Sequence, residues 1–484
     1  MAKIIIVGGG VAGLSAGIYA GLSGHQAVIY EKHFKAGGNL TGWDREGYHI
    51  DNCIHWLTGT NPNTDLYKMW VELGALGDVG VHQAESLYTY DFGGESISIY
   101  KDVATIEREM LRISPGDKKE ILSLTAAIRA MQSLNGFSGK DVDKKSTGIE
   151  KLCAIPKIMK YYSMSTEELG DRFKSPVISG FIKSFLTERF SALALIMVFG
   201  TFSGKNGGIP EGSSCKMAER MTDRFKSLGG ELVLRSGVEK ININGKKATS
   251  VILDNGEEVS ADYVVVTADP AVAFGTLLDE SLMPIALKKQ YADPKMLRFS
   301  SHHTAFACDL PELPFTGDVA VTVPEKYRED MGIEHFMLRE FSHEKSFAPE
   351  GKSIIQSMTY CFEDYAVGCI EDKKDPALYK ARKAKMAEIV EELICEKYPT
   401  LCGKLRLLDV WTPATYKRYV DSEIGSFMSF ALPKSTPLTK ISGKIKGVSN
   451  VVLATQWQQA PGGLPIAAMS GKDAIALINK MKKA

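Results

Sequence analysis

Apolar residues along this chain fall into two spacings, and the alternation between them predicts the element order. Lys3 to Val7 is a short β-branched run of the kind that forms a buried parallel strand. Leu14, Ser15, Ala16, Ile18, Tyr19 and Ala20 follow at helical spacing, and Ala27 to Tyr30 is a second apolar strand. Asp65 to Leu76 is helical. Leu87 to Tyr100 alternates around Gly93-Gly94 and predicts a hairpin. Asp102 to Leu134 predicts two helices broken at Ser114-Pro115-Gly116-Asp117. Residues 139–151 are charged and predict a loop. Leu152 to Met164 mixes apolar residues with Lys157 and Lys160. An ordinary amphipathic helix with its lysines on the wet face is favoured there over a membrane-contacting patch, because Pro156 interrupts the pattern.

Further along, Ser165-Thr166-Glu167-Glu168 is a helix-capping signal. Phe190 to Phe202 is the longest apolar run, too short to span a bilayer. Cys215 to Leu228 predicts a helix closed by Gly229-Gly230, followed by a strand at 231–234. A meander from Ser236 to Leu253 turns at Asn244-Gly245 and Asn255-Gly256, and Tyr263 to Val266 is a further buried strand. Strands are expected at Thr304–Cys308, Asp318–Val323, Ser353–Thr359 and Lys404–Val410, with a long helix over about 377–397. The chain ends in a strand (Asn450–Leu453), a Gly-rich turn and a helix of small residues.

The first strand–turn–helix carries chemistry. Gly8, Gly10 and Gly13 form G-x-G-x-x-G at the mouth of a helix. Gly8 permits the tight turn, Gly10 lets backbone approach a diphosphate, and Gly13 lets helix and strand pack closely. The unpaired N–H groups around Val11 and Ala12 attract phosphate. Glu31 ends the second strand 18 residues after Gly13. A carboxylate there accepts hydrogen bonds from an unphosphorylated ribose, which favours FAD or NAD over NADP. A second glycine pair, Gly37-Gly38, lies just beyond Lys32, and flavoproteins of the glutathione-reductase and amine-oxidase type carry such a pair, so FAD is favoured.

Glu31-Lys32, Gly37-Gly38 and Gly47-Tyr48-His49-Ile50-Asp51 together resemble the N-terminal pattern of the phytoene desaturase, carotenoid isomerase and retinol saturase family. Asn39 stands where that family usually carries Arg. The resemblance implies an α/β fold: a Rossmann-type, glutathione-reductase-like FAD-binding domain (1–75, 206–275 and 446–484) with a discontinuous α+β substrate domain bearing a helical cap (76–205 and 276–445). It implies a backbone contact of Val238 with adenine, and closure of Thr267-Ala268-Asp269-Pro270 over the diphosphate. It also implies flavin contacts from the turn holding Trp457, Gly463, Leu464 and Pro465. The stretch Asn52 to Thr60 would pass beside the flavin ring, making His55, Trp56 and Thr58 candidate substrate neighbours. Thr412-Pro413-Ala414-Thr415 to Arg418-Tyr419 is similar to a family segment in which Tyr419 either faces substrate or braces the domain interface.

Composition narrows the partners. The chain has 484 residues, more than one simple core accommodates, with 44% hydrophobic and 24% charged residues. A formal net charge of zero excludes nucleic-acid binding through bulk electrostatics. Eight scattered cysteines show neither C-x-x-C nor zinc spacing, and no metal site is expected. The dinucleotide fingerprint stands where a targeting segment would lie, so the expectation is a cytoplasmic chain, with peripheral membrane contact as the alternative. No second G-x-G-x-x-G for a nicotinamide is visible.

Flavin hydride chemistry needs no nucleophile triad or carboxylate pair, and none stands out. His55, Tyr419, Trp457 and, less directly, Glu211 are the candidates for handling a proton or bordering the ring. The resemblance therefore implies an FAD-dependent desaturase, saturase or isomerase acting on C–C bonds of an apolar polyene, isoprenoid or lipid-like substrate. An amine- or porphyrinogen-oxidase-like flavoenzyme is the runner-up. A non-catalytic lipid carrier of the GDP-dissociation-inhibitor type is disfavoured by the intact glycine set.

Overall fold

Five parallel strands form the sheet at the base of the molecule, in the order 231–234, 26–31, 3–7, 263–266 and 451–453. The structure, a computed structural model, describes residues 1–134, 148–187 and 189–483. Both faces of this sheet are covered, so its central strands are apolar throughout. Ile4 and Ile6 pack with the helices Val11–Leu22, Ser213–Ser227 and Leu464–Lys483. Ile5 and Val7 face the opposite side, with Ile241, Ala248 and Val251 of a three-stranded antiparallel meander.

A second sheet of seven strands runs 405–411, 299–308, 353–362, 335–340, 318–322, 86–92 and 95–100. It is antiparallel except where Asp318 and Val319 pair in parallel with Tyr88 and Thr89. The long helix Pro376–Lys397 buries Ile389, Val390, Leu393 and Ile394 against one face. A helical layer packs with Met337 and Met358 of the other, built from Val103–Ile113, Lys118–Ser133, Pro176–Leu186 and Ala192–Ser203. A small three-stranded sheet, with Gly207–Pro210 between Leu57–Thr58 and Val81–His82, joins the two halves.

Most expected elements are present. The hairpin Ser86–Phe92/Glu95–Tyr100, the helix break at Pro115 and the capping box at Ser165 are formed, the last with both Ser165 and Glu168 side chains engaged. Two readings need correction, and two elements were not anticipated. Residues 148–151 open the helix Gly148–Met159 rather than closing a loop, while 135–147 lie outside the described residues. That helix is not wet only through its lysines: Leu152, Ile155 and Met159 are 73%, 50% and 46% exposed. The strand His335–Glu340 and the hairpin Gly42–Arg45/Tyr48–Asp51 were not expected. The hairpin turns at Glu46-Gly47, both at positive φ as a two-residue turn requires. Its Tyr48 and Ile50 pack with Trp411 and Phe347 of the other half.

Candidate functional site

The glycine turn is held from both sides. The Gly8 N–H donates to the Tyr30 carbonyl at 2.9 Å. Gly8 has φ +98°, and a Cβ on it would meet Thr267 Oγ1 at 2.7 Å. A Cβ on Gly13 would lie 2.0 Å from the Gly8 carbonyl oxygen, so the helix rests directly on the turn. Gly10 caps the helix without a side-chain hydrogen bond, leaving the first-turn N–H groups for another partner. A Cβ there would find only Gly38 Cα, at 3.9 Å. The second glycine pair completes the cradle: Gly37 N–H donates to the Gly9 carbonyl at 2.8 Å.

Glu31 is buried, and its carboxylate accepts from the Gly9 N–H at 2.7 Å and the His33 N–H at 2.9 Å. A carboxylate has about four acceptor positions, so two stay available to ribose hydroxyls. Lys32 pairs with Asp421 at 3.1 Å. Asn39 donates through Nδ2 to the Phe427 carbonyl at 3.3 Å, and its buried Oδ1 has no partner among the described residues.

One cavity of about 480 Å³ joins these groups to a second, apolar region. Gly8, Gly10, Val11, Ala12, Glu31, Lys32, Gly38, Asn39, Val238, Thr267, Ala268, Trp457, Gly463, Leu464 and Pro465 all border it, together with His55, Trp56, Thr58 and Tyr419. Gly13 does not; its place is behind the turn. Glu211 lies outside the lining as well. Thr267 is turned toward the strand ends, donating to the Val7 carbonyl at 2.7 Å. At the C-terminal turn, Gly462 and Gly463 have φ +82° and +88°. The Gly463 N–H donates to Gln456 Oε1 at 2.8 Å. Trp457 is buried, stacked on Tyr291 and edge-on to Phe430.

Tyr419 sits at the polar end: its ring stacks on His33 with centroids 4.2 Å apart, two residues from Glu31. The apolar end is walled by Phe190, Met197 and Val198 of the cap and by Phe299, Met358 and Phe427. His55 stands at that wall beside Trp56. Its Nδ1 lies 3.2 Å from Asp318 Oδ2, and Arg339 donates to Asp318 Oδ1 at 2.8 Å and to the carbonyls of Ile54 and His55 at 2.6 Å each. Burial and the Arg339 charge push the His55 imidazole below its ordinary value against the pull of Asp318. Burial acts to raise the Asp318 carboxyl, but Arg339 and His55 outweigh it and hold the carboxyl low.

Asp318, Arg339 and Tyr360 escaped the sequence reading. A signal was present: an acid and an arginine sit in strands whose neighbours are apolar, where an unpaired charge is not tolerated. Among the described residues no cluster of three metal-ligating side chains occurs. The glycine cradle and the uncapped helix terminus fit a dinucleotide's diphosphate, and the orphaned Asn39 oxygen, an acceptor, fits an N–H group of a flavin-sized ring system.

Comparison with known proteins agrees. The profile of flavin-containing amine oxidoreductases matches residues 11–478. A chloroplastic prolycopene isomerase of Daucus carota is 23% identical over 461 residues, covering 90% of this chain and 72% of the relative. A 4,4'-diaponeurosporene oxygenase of Staphylococcus aureus is 21% identical over 510 residues, covering 98% of each. Cyclohexylamine oxidase from Brevibacterium oxydans superposes with a TM-score of 0.60 at 14% identity, over 99% of both chains.

Proposed function

Since the chain belongs to the flavin-containing amine oxidoreductase family, with FAD as its cofactor, we propose that it exchanges hydride with C–C bonds of an apolar, polyene-like substrate, as a desaturase, saturase or isomerase. The observation that carries this reading is the apolar far end of the cavity, walled by Phe190, Met197, Val198, Phe299, Met358 and Phe427. Bound FAD supplies a hydride acceptor or donor at N5. The chain's residues supply the rest. The turns at Gly8–Gly10, Gly37-Gly38 and Gly462-Gly463 would hold the cofactor, with Glu31 available to its ribose hydroxyls. The cap helices keep water from the reacting carbons, and His55 is the titratable group on that wall best placed to hold a proton. The two relatives named for carotenoid chemistry favour the same substrate class.

An amine substrate fits less well. The carboxylates bordering the cavity are Glu31, Asp269 and Asp421. Asp269 is already engaged by Tyr291, Ser422 and backbone N–H groups. Glu31 and Asp421 lie with Lys32 and His33 at the ribose end.

The FAD domain comprises 1–75, 206–275 and 446–484 in this reading, the substrate domain the remainder. Among the described residues no helix is long and apolar enough to cross a membrane. The exposed Leu152, Ile155 and Met159, with Lys157 and Lys160 beside them, are the proposed peripheral lipid contact. Val198→Asp tests the apolar wall. FAD content is expected unchanged and polyene turnover reduced by roughly tenfold or more, since a carboxylate in an apolar pocket is strongly disfavoured. Undiminished turnover would contradict the substrate class.

A further inference from the structure

Behind His55 lies a second, smaller cavity of about 40 Å³, bordered by His55, Asp318, Arg339, Glu340, His82 and His343. His55 is the one side chain among the described residues that borders both cavities. We propose that His55 relays a proton between the main cavity and this second one, with Asp318 and Arg339 as positioning residues. The inference rests on the C–C bond chemistry proposed above and adds the route by which its proton leaves or arrives.

Each link has a physical basis. Asp318 engages Nδ1 of His55 and so fixes the tautomer, leaving Nε2 to exchange a proton with substrate while the Nδ1–H on the Asp318 side gives one up to water in the second cavity. Arg339 locks the carboxylate in place and clamps the backbone of Ile54 and His55. Other ionisable groups bearing on the pair are Asp51 on the His55 segment, His303 on the adjacent strand, and Tyr360 near Asp318. The cavity has room for one to three waters, since a water needs roughly 10–15 Å³ of such space, and His55, His82, Glu340 and His343 on its border offer polar partners. The buried Nε2 of His343 has no partner among the described residues, which a water there would satisfy. His343 stacks on His82 at 4.7 Å, and His82 is exposed, giving the chain its outlet to solvent.

In a desaturation, the second C–H bond breaks with its electron pair kept in the new double bond and its proton taken by His55 Nε2. In a saturation the same atom gives the proton up. The neutral imidazole is the active base, so removing Asp318, which holds the His55 value up, moves the acid limb of a desaturation profile to lower pH.

The test uses the FAD-loaded protein labelled with ¹⁵N-histidine, its His55 signals assigned by their loss in His55→Gln. Expected are an Nδ1–H tautomer that is lost in Asp318→Asn, polyene turnover down roughly 100-fold in His55→Gln, and a downward-shifted acid limb in Asp318→Asn. An Asp318→Asn protein with unchanged tautomer and unchanged pH profile overturns the relay. Should that variant not fold, His343→Gln decides. Turnover falling several-fold with an enlarged solvent isotope effect and constant KM supports the route, and no change overturns it. The resonance measurement needs no substrate. A wild type inactive on every polyene but showing the Asp318-dependent tautomer therefore counts against the substrate class and for the His55–Asp318 pair.

Discussion

Gly10 and Gly13 share one turn but answer a side chain in different ways. At Gly13 the added Cβ lands 2.0 Å from a backbone oxygen, so Gly13→Ala should destabilise the fold itself, by about 1–3 kcal/mol, with a lowered Tm even without cofactor. At Gly10 the Cβ has open space, and Gly10→Ala should melt like wild type yet bind FAD roughly tenfold more weakly, because the methyl occupies the diphosphate's approach. Titration of apoprotein with FAD beside thermal melting separates the two, and equal behaviour of both variants would contradict the cradle. These residues were legible because their spacing is local. The Asp318–His55–Arg339 set was not, since its members lie 263 and 284 residues apart and only the sheet brings them together. Tyr419 shows the same limit. Its motif left open whether it faces substrate or braces the domain interface, and only the fold, which stacks its ring on His33 of the segment 1–75, selects the brace.

At the scale of elements, local signals were reliable where a cap or a turn marked the boundary. Ser165 and Glu168 form the box their spacing predicts. His335–Glu340 escaped because histidine, arginine and glutamate interrupt its apolar alternation; the strand is buried regardless, with Arg339 neutralised by Asp318. The helix Gly148–Met159 turned out apolar on its exposed side, which periodicity alone could not orient. If that side meets lipid, Leu152→Asp with Ile155→Asp should lower co-sedimentation with anionic liposomes by roughly tenfold while leaving Tm unchanged, because only exposed surface is altered. Equal sedimentation of variant and wild type would remove the lipid contact from the account.

Across the whole molecule, buried and half-buried histidines contribute to the pH dependence of stability. Burial is the main cause that pushes His302, His335 and His343 down to about 4 from 6.5. Between those values the unfolded chain takes up protons that the folded chain refuses, so their contribution is full above about 6.5 and lost as pH falls through 4. His49 has the opposite sign. Burial acts to lower it, but the nearby Cys215 thiol and the hydrogen bond with Asp44 outweigh that and raise it to about 9. Its contribution is complete below 6.5 and lost as pH rises through 9. Melting temperature should therefore peak near neutrality and fall on both sides, and a flat profile down to about pH 4 would contradict the assignment of buried neutral histidines. The parallel sheet and its dinucleotide turn were readable from the first 31 residues, whereas the apolar chamber needed both sheets and the cap to appear. That chamber is the basis of the central claim, and the most direct measurement is the double-bond count and geometry of a polyene recovered after anaerobic incubation with the FAD-loaded protein. Polyene that has lost or gained two hydrogens or changed double-bond geometry is expected, with primary amines returned intact; unaltered polyene together with oxidised amine would rule out the apolar substrate.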